Sequence, residues 1–234
     1  MITLSTTSLK ALEACPRGFK ARYIERLGDK GDKAAFRGNR EHAHYERMVA
    51  EPDFFPTPDP GDSPQEARTA EKAARYVQKF LTALRQKPGR LRAEVWTAVD
   101  RQWNVSKYGG PPAYARVKSD LVYASTDGKV LGVWDWKFGK WSPSDASELD
   151  ETQNRLTALL MLKSRPAAQK VIGGVIYTAQ QKPFPVIVTR EEVEQPSREM
   201  QDLLTRMART TSRRRSHPAR SIRQHATVGA ATAF

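Results

Sequence analysis

Cysteine is nearly absent: of 234 residues only Cys15 is one. An intrachain disulfide and any all-cysteine metal cluster are thereby excluded. Long apolar runs are missing as well, since nothing approaches the roughly 18–20 residues that a membrane-spanning helix needs. The opening "MITLSTTSLKALEACPRGFK" lacks the basic start, apolar core and small-residue cleavage site of a secretory signal. These shortages predict a soluble, cytoplasmic chain without a membrane partner. Acidic residues are the scarcer charge, 26 Asp and Glu against 39 Lys and Arg, which leaves a net charge of +13. Such an excess attracts polyanions, because each phosphate neutralised releases condensed counterions. Eight arginines against Glu199 and Asp202 put +6 on residues 198–234, so the remaining +7 belongs to the body. No internal repeat is evident, and the length suits one core.

What is present falls into segments. "STTSLKALEACPRGFKARYIERL" has helical apolar spacing divided by Pro16, and "AAFRGNREHAHYERMVA" continues as a second helix. Residues 51–64, "EPDFFPTPDPGDSP", predict a mobile proline-rich loop. A third helix starts behind Ser63 as N-cap with Pro64 in its first turn. The composition then turns to Val, Trp and Tyr. "LRAEVWTAVDRQWNV", "AYARVKSDLVYAS" and "KVLGVWDWKFGK", separated by turn-forming stretches, predict a three-stranded meander. A helix over 146–164, strands in "QKVIGGVIYTA" and "FPVIVTR", and a last helix in "EEVEQPSREMQDLLTRMART" follow. That order predicts an α/β fold: a mixed central sheet flanked by helices, with further helices at the N-terminus. One domain over 1–210 and a basic, disordered tail over 211–234 complete the expected organisation.

The run "VWDWKFGK" places Asp135 and Lys137 two residues apart inside an otherwise apolar strand. Period-two alternation sends both to one face and Trp136 to the other. Asp120, in the neighbouring strand "ARVKSDLVY" and expected late in it, comes within reach of Asp135 when the register suits. Two close carboxylates repel unless a cation or proton intervenes, and a hard divalent ion takes oxygen ligands of this kind. A lysine beside such an ion can help deprotonate a water and stabilise charge on a phosphate. On the pair alone, a same-face ion pair on a half-exposed strand is an equal alternative.

Beyond the pair, the chain resembles the PD-(D/E)XK nuclease superfamily over roughly residues 2–190, in its RecB-type exonuclease branch, which includes CRISPR-adaptation exonucleases. "LSTTSLKALEACPRGFKARYI" resembles that branch's opening. "FRGNREHAHYE" matches Gly-x-x-x-His followed by a glutamate, with Gly38, His42 and Glu46 in place; "KSDLVY" matches its strand Asp, "VWDWKFGK" its Asp-x-Lys, and "ETQNRL" its helix glutamine. The resemblance implies a restriction-endonuclease-like core. It further implies Mg²⁺ or Mn²⁺ held by His42, Asp120, Asp135 and the Trp136 backbone carbonyl, a catalytic Lys137, and Gln153 near the site. Glu94 matches an acid often found on the first strand. Val117 and Thr157 depart from the branch pattern, and the four cysteines of its iron–sulfur members are missing, so no such cluster is expected. Cys15, left alone, reads as a small packed hydrophobe.

The activity implied is a metal-dependent deoxyribonuclease, an exonuclease acting in recombination, repair or phage DNA processing, with DNA and other recombination or replication proteins as partners. The alternative is a catalytically idle DNA-binding module of the same fold within a larger complex. A basic RNA-binding protein is a weaker match, because no strand motif of stacking aromatics occurs.

Overall fold

The computed structural model describes residues 4–194 except 6–7, 9–10, 12–13, 26, 28–32, 101, 108–112 and 140–142; for 4, 24, 33–34, 143–152 and 194 only the backbone is described. A two-residue strand β1 (Leu4–Ser5) precedes a short helix α1 (Pro16–Phe19) that runs on as a π-type turn, Lys20–Ile24. Cys15 is exposed rather than packed, and its thiol accepts the Gly18 amide at 3.3 Å as the N-cap of α1. Helices α2 (Lys33–Ala50) and α3 (Pro64–Arg85) follow. Ser63 and Glu66 form a reciprocal capping box at the start of α3, which satisfies amides that the first turn leaves without partners. At the other end of α3, Arg85 donates to the Met48 and Val49 carbonyls at 2.6 and 3.3 Å, closing the last turn of α2. The intervening proline-rich segment is tied to α2 by Arg40, whose guanidinium reaches Asp59 at 2.9 Å and Asp62 at 2.7 Å.

Strands β2 (Gly89–Val99), β3 (Ala115–Ser125) and β4 (Val130–Lys137) form the predicted antiparallel meander, with β3 in the middle. Helix α4 (Pro143–Ser164) carries the chain across to β5 (Lys170–Tyr177), which lies parallel to β4. After the 3₁₀ turn Thr178–Gln180, β6 (Lys182–Thr189) pairs antiparallel to β5. β1 runs parallel to the first residues of β3, Leu4 opposite Ala115. The result is a six-stranded mixed sheet with helices on both faces, as the segment order predicted. The last predicted helix begins as α5 (Arg190–Glu194); its remainder and the tail over 211–234 lie outside the described residues.

Two apolar layers sandwich the sheet. On one face Tyr45 and Met48 of α2 and Val77, Leu81 and Leu84 of α3 meet Leu121, Trp136 and Ile176. On the other, Leu156, Leu159, Leu160 and Met161 of α4 meet Val117, Val122, Val133 and Val171. Between β4 and its neighbours the backbone approach is close: a Cβ at Gly173 would fall 1.7 Å from the Val133 carbonyl oxygen. Only glycine is compatible with that spacing.

Candidate active site

The pairing of β3 with β4 ends at Leu121 opposite Trp134. The next residue on β3 is Asp120 and the next on β4 is Asp135, so the carboxylates sit on the two arms of a fork. Asp120 lies in the middle of β3 rather than late in it as expected, because the strand runs from Ala115 to Ser125. The Trp136 amide bridges the fork by donating to Asp120 Oδ2 at 2.7 Å. In an extended strand a residue's N–H and C=O point to the same side, which turns the Trp136 carbonyl towards the fork as well. The indole of Trp136 is buried on the α2–α3 side, edge-on to Tyr45 and Phe80. Alternation therefore sends Asp135 and Lys137 the other way, into a cleft of about 600 Å³.

Helix α2 forms a wall of that cleft with Asn39, His42, Ala43 and Glu46, positions spaced to share one helical face. His42 Nδ1 stands 3.2 Å from Asp120 Oδ1. His44 turns elsewhere, 3.9 Å from Glu41. Buried Gln153 reaches the cleft from α4. Lys137 Nζ lies 2.5 Å from Asp135 Oδ2, a buried oxygen that accepts no aligned hydrogen bond. The Lys137 carbonyl accepts from Thr178 Oγ1 at 3.3 Å, and Thr178 shares a hydrogen bond of 3.1 Å with the Tyr45 hydroxyl. That relay joins the end of β4 to α2.

Glu94 reaches the cleft through an irregularity in β2. Leu91 packs on the α2–α3 side, whereas Val95 packs on the α4 side, although residues of one parity share a face in a regular strand. The pleat reverses at Glu94, whose φ of 53° lies in the left-handed region. Its carboxylate pairs with Lys118, itself 5.1 Å from the Trp96 ring. Arg116 and Lys118, which also line the cleft, escaped the sequence reading. Positions 116 and 118 alternate with the buried 115, 117 and 119, and that alternation is the signal that would have found them.

Burial lowers the pKa of the His42 imidazole, but the hydrogen bond and charge of Asp120, with the charge of Asp135, outweigh it and hold it above its ordinary value. Asp120 is raised as well, first by burial and then by the facing charge of Asp135, against the opposing effects of His42 and the Trp136 amide. The Asp120 carboxyl, partly desolvated and facing a like charge, therefore holds a proton more readily than a free carboxylate.

Among the described residues no three His, Cys, Asp or Glu side chains are placed to hold a metal ion in this arrangement. His42 is engaged with Asp120 and Lys137 with Asp135. The donor chemistry nevertheless fits a hard divalent cation: two carboxylates, a carbonyl and an imidazole at one fork, with the buried Asp135 Oδ2 already facing a positive charge, the Lys137 ammonium.

A protein-family model described as the PD-(D/E)XK nuclease superfamily matches residues 3–227. No curated protein matches the chain. Among solved structures, one titled "Crystal structure of SSO0001" is similar at 13% identity and a TM-score of 0.45, covering 94% of this chain and 79% of that one. That likeness is too distant to bear on function. No described helix is long and apolar enough to cross a membrane.

Proposed function

We propose, from the premise that this chain belongs to the PD-(D/E)XK nuclease superfamily, that it is a divalent-metal-dependent deoxyribonuclease. We further assign it exonuclease action on DNA ends, in recombination, repair or phage DNA processing. The observation that carries the proposal is the fork, which turns Asp120, Asp135, Lys137 and His42 into one cleft beside Arg116 and Lys118. The mixed sheet with flanking helices agrees with the restriction-endonuclease-like core of that superfamily.

In this reading Asp120, Asp135, the Trp136 carbonyl and His42 hold Mg²⁺ or Mn²⁺. When bound, such an ion supplies Lewis-acid stabilisation of the charge that builds on a phosphodiester. The Lys137 ammonium carries three N–H donors; with a cation held by Asp135 it would donate to the attacking water and to a non-bridging phosphate oxygen. Hydrolysis adds the water oxygen to phosphorus and breaks one P–O bond, the departing oxygen taking a proton. Arg116 and Lys118, which precede Asp120 on β3, supply positive charge for the phosphates of the bound strand, Lys118 while paired with Glu94. Buried Gln153 has an amide to orient Lys137 or a DNA group.

End-labelled single- and double-stranded DNA, incubated with Mg²⁺, Mn²⁺ or EDTA beside a folded Lys137→Ala protein, tests the proposal. Metal-dependent release of label by the wild type alone is expected, and the strand form consumed identifies the preferred end. Unimpaired cleavage by Asp135→Ala would sink the assignment. Salt-sensitive DNA binding without cleavage in any metal would favour the idle binding module instead.

A further inference from the structure

On the face of the sheet covered by α4, beyond the end of that helix, lies a second concavity of about 150 Å³. Val95, Val122 and Ala124 form its apolar floor, and Arg90, Arg92 and Arg165 surround it. Arg90 and Arg92 project from β2, opposite Ala124 and Val122 in register. Arg165 follows the last residue of α4 and is half-buried, with one nitrogen 3.0 Å from Met161 Sδ and 2.9 Å from Ser164 Oγ.

No described carboxylate pairs with any of these three guanidiniums. Elsewhere Arg37 pairs with Glu66, Arg40 with Glu41, Asp59 and Asp62, Arg47 with Glu51, and Arg75 with Glu71, while Arg85 and Arg190 are taken up by backbone carbonyls. Burial, and then the like charge of Arg92, hold Arg165 below the ordinary guanidinium range. Charges on an outer strand deter edge-to-edge pairing, and a helix C-terminus favours one nearby cation. Neither effect accounts for three cations converging on one concavity without an anion among them. A guanidinium is a flat fork of donors matched to phosphate oxygens, and a phosphodiester strand delivers such groups in series. Among the described residues β2 pairs along its length only with β3, apart from the bridge between Val99 and Val105. On the cleft side that strand also carries Trp96, 51% exposed, an aromatic surface of the kind on which bases stack.

We propose that Arg90, Arg92 and Arg165 form a second phosphate-backbone contact, which grips the DNA strand after it leaves the cleft and passes over β2. The proposal rests on the reading of DNA as substrate, but its test requires no cleavage. Anisotropy of labelled single-stranded DNA is measured in EDTA across a salt series, with an oligomer of about 6 nucleotides that fills the cleft and one of about 20 that extends past it. Because Arg90 and Arg92 are exposed, the Arg90→Ala/Arg92→Ala protein keeps the fold; Arg165→Ala is a second variant, checked by its melting temperature. For the double variant the long oligomer is expected to bind about tenfold more weakly, with the slope of log affinity against log salt reduced by about 2, while the short oligomer binds as before. Wild-type affinity and slope for the long oligomer in both variants would overturn the proposal, as would equal losses for the two lengths. A loss confined to competition by inorganic phosphate, or to binding of a polyglutamate peptide, would also overturn it. A wild type that never cleaves, yet shows the length-dependent loss, would remove the nuclease reading and leave this contact standing.

Discussion

Asp120 is fixed by the backbone of the strand that carries Asp135: its Oδ2 accepts the Trp136 amide at 2.7 Å, one residue past that second carboxylate. The two acids are thus held together by main chain rather than by mobile side chains. A buried aromatic supplies the anchor, since the Trp136 ring is clamped edge-on by Tyr45 and Phe80. On the function proposed above, this repulsive pair is what a bound cation would neutralise.

Asp120→Asn removes that repulsion while preserving shape. DNA cleavage is expected to fall by at least about a hundredfold, the scale on which loss of a preorganised charge acts. The melting temperature in EDTA is expected to stay level or rise, because neutralising a buried group next to a like charge relieves a cost. A large fall in melting temperature with cleavage retained would show that Asp120 is structural.

Lys137→Met leaves Asp135 Oδ2 without its cation. The metal-free protein is expected to lose about 1–2 kcal/mol of stability, as when one partner of a partly buried pair is removed. Urea unfolding with and without Mg²⁺ checks this, and Mg²⁺ is expected to restore more stability to the variant than to the wild type. Cleavage is expected to be lost in both metals.

Stability without metal should depend on pH in a direction set by the fork. The folded pKa of His42 lies above its ordinary 6.5, so its contribution is fully present below that value and is lost as pH rises through the higher folded one. Asp120 is likewise raised from 3.8, and its contribution is lost as pH climbs through its folded value. In EDTA Asp120 lowers the melting temperature as pH rises above 3.8, and His42 as it rises above 6.5. Metal donors must be deprotonated, so the stabilisation gained on adding Mg²⁺ should grow as pH rises. A metal effect that shrinks towards pH 8 would speak against the proposed donors.

Gly38 lies one helical turn before His42, and a Cβ placed there meets nothing within 4 Å. Gly38→Ala is therefore expected to stabilise the protein by about 0.5–1 kcal/mol through helix propensity alone, read by chemical unfolding. If DNA passes close to this turn, the same variant will show a higher KM with an unchanged kcat.

Much of this architecture was legible in the chain. Alternation in "VWDWKFGK" put Asp135 and Lys137 on one side and Trp136 on the other, as observed, because β4 keeps a regular pleat there. The cap at Ser63, the meander and the crossover to β5 follow from local chemistry and connection rules. Local pattern did not reveal the reversal of the pleat at Glu94, since an isolated left-handed glutamate in a strand has no compositional mark. Arg116 and Lys118 were visible as alternating cations, but only the fork shows that their side of β3 is the cleft.

By itself the sequence determined the elements, their order and the residue types available for phosphate chemistry, because periodicity and capping act over a few neighbouring residues. Tertiary structure alone decided that strand pairing stops at Leu121 and Trp134, that His42 comes to within 3.2 Å of Asp120, and that Arg165, distant in the chain, joins Arg90 and Arg92 at a separate concavity. Those relations depend on register and on how helices pack across a twisted sheet, and both are settled by the burial of side chains distant in sequence.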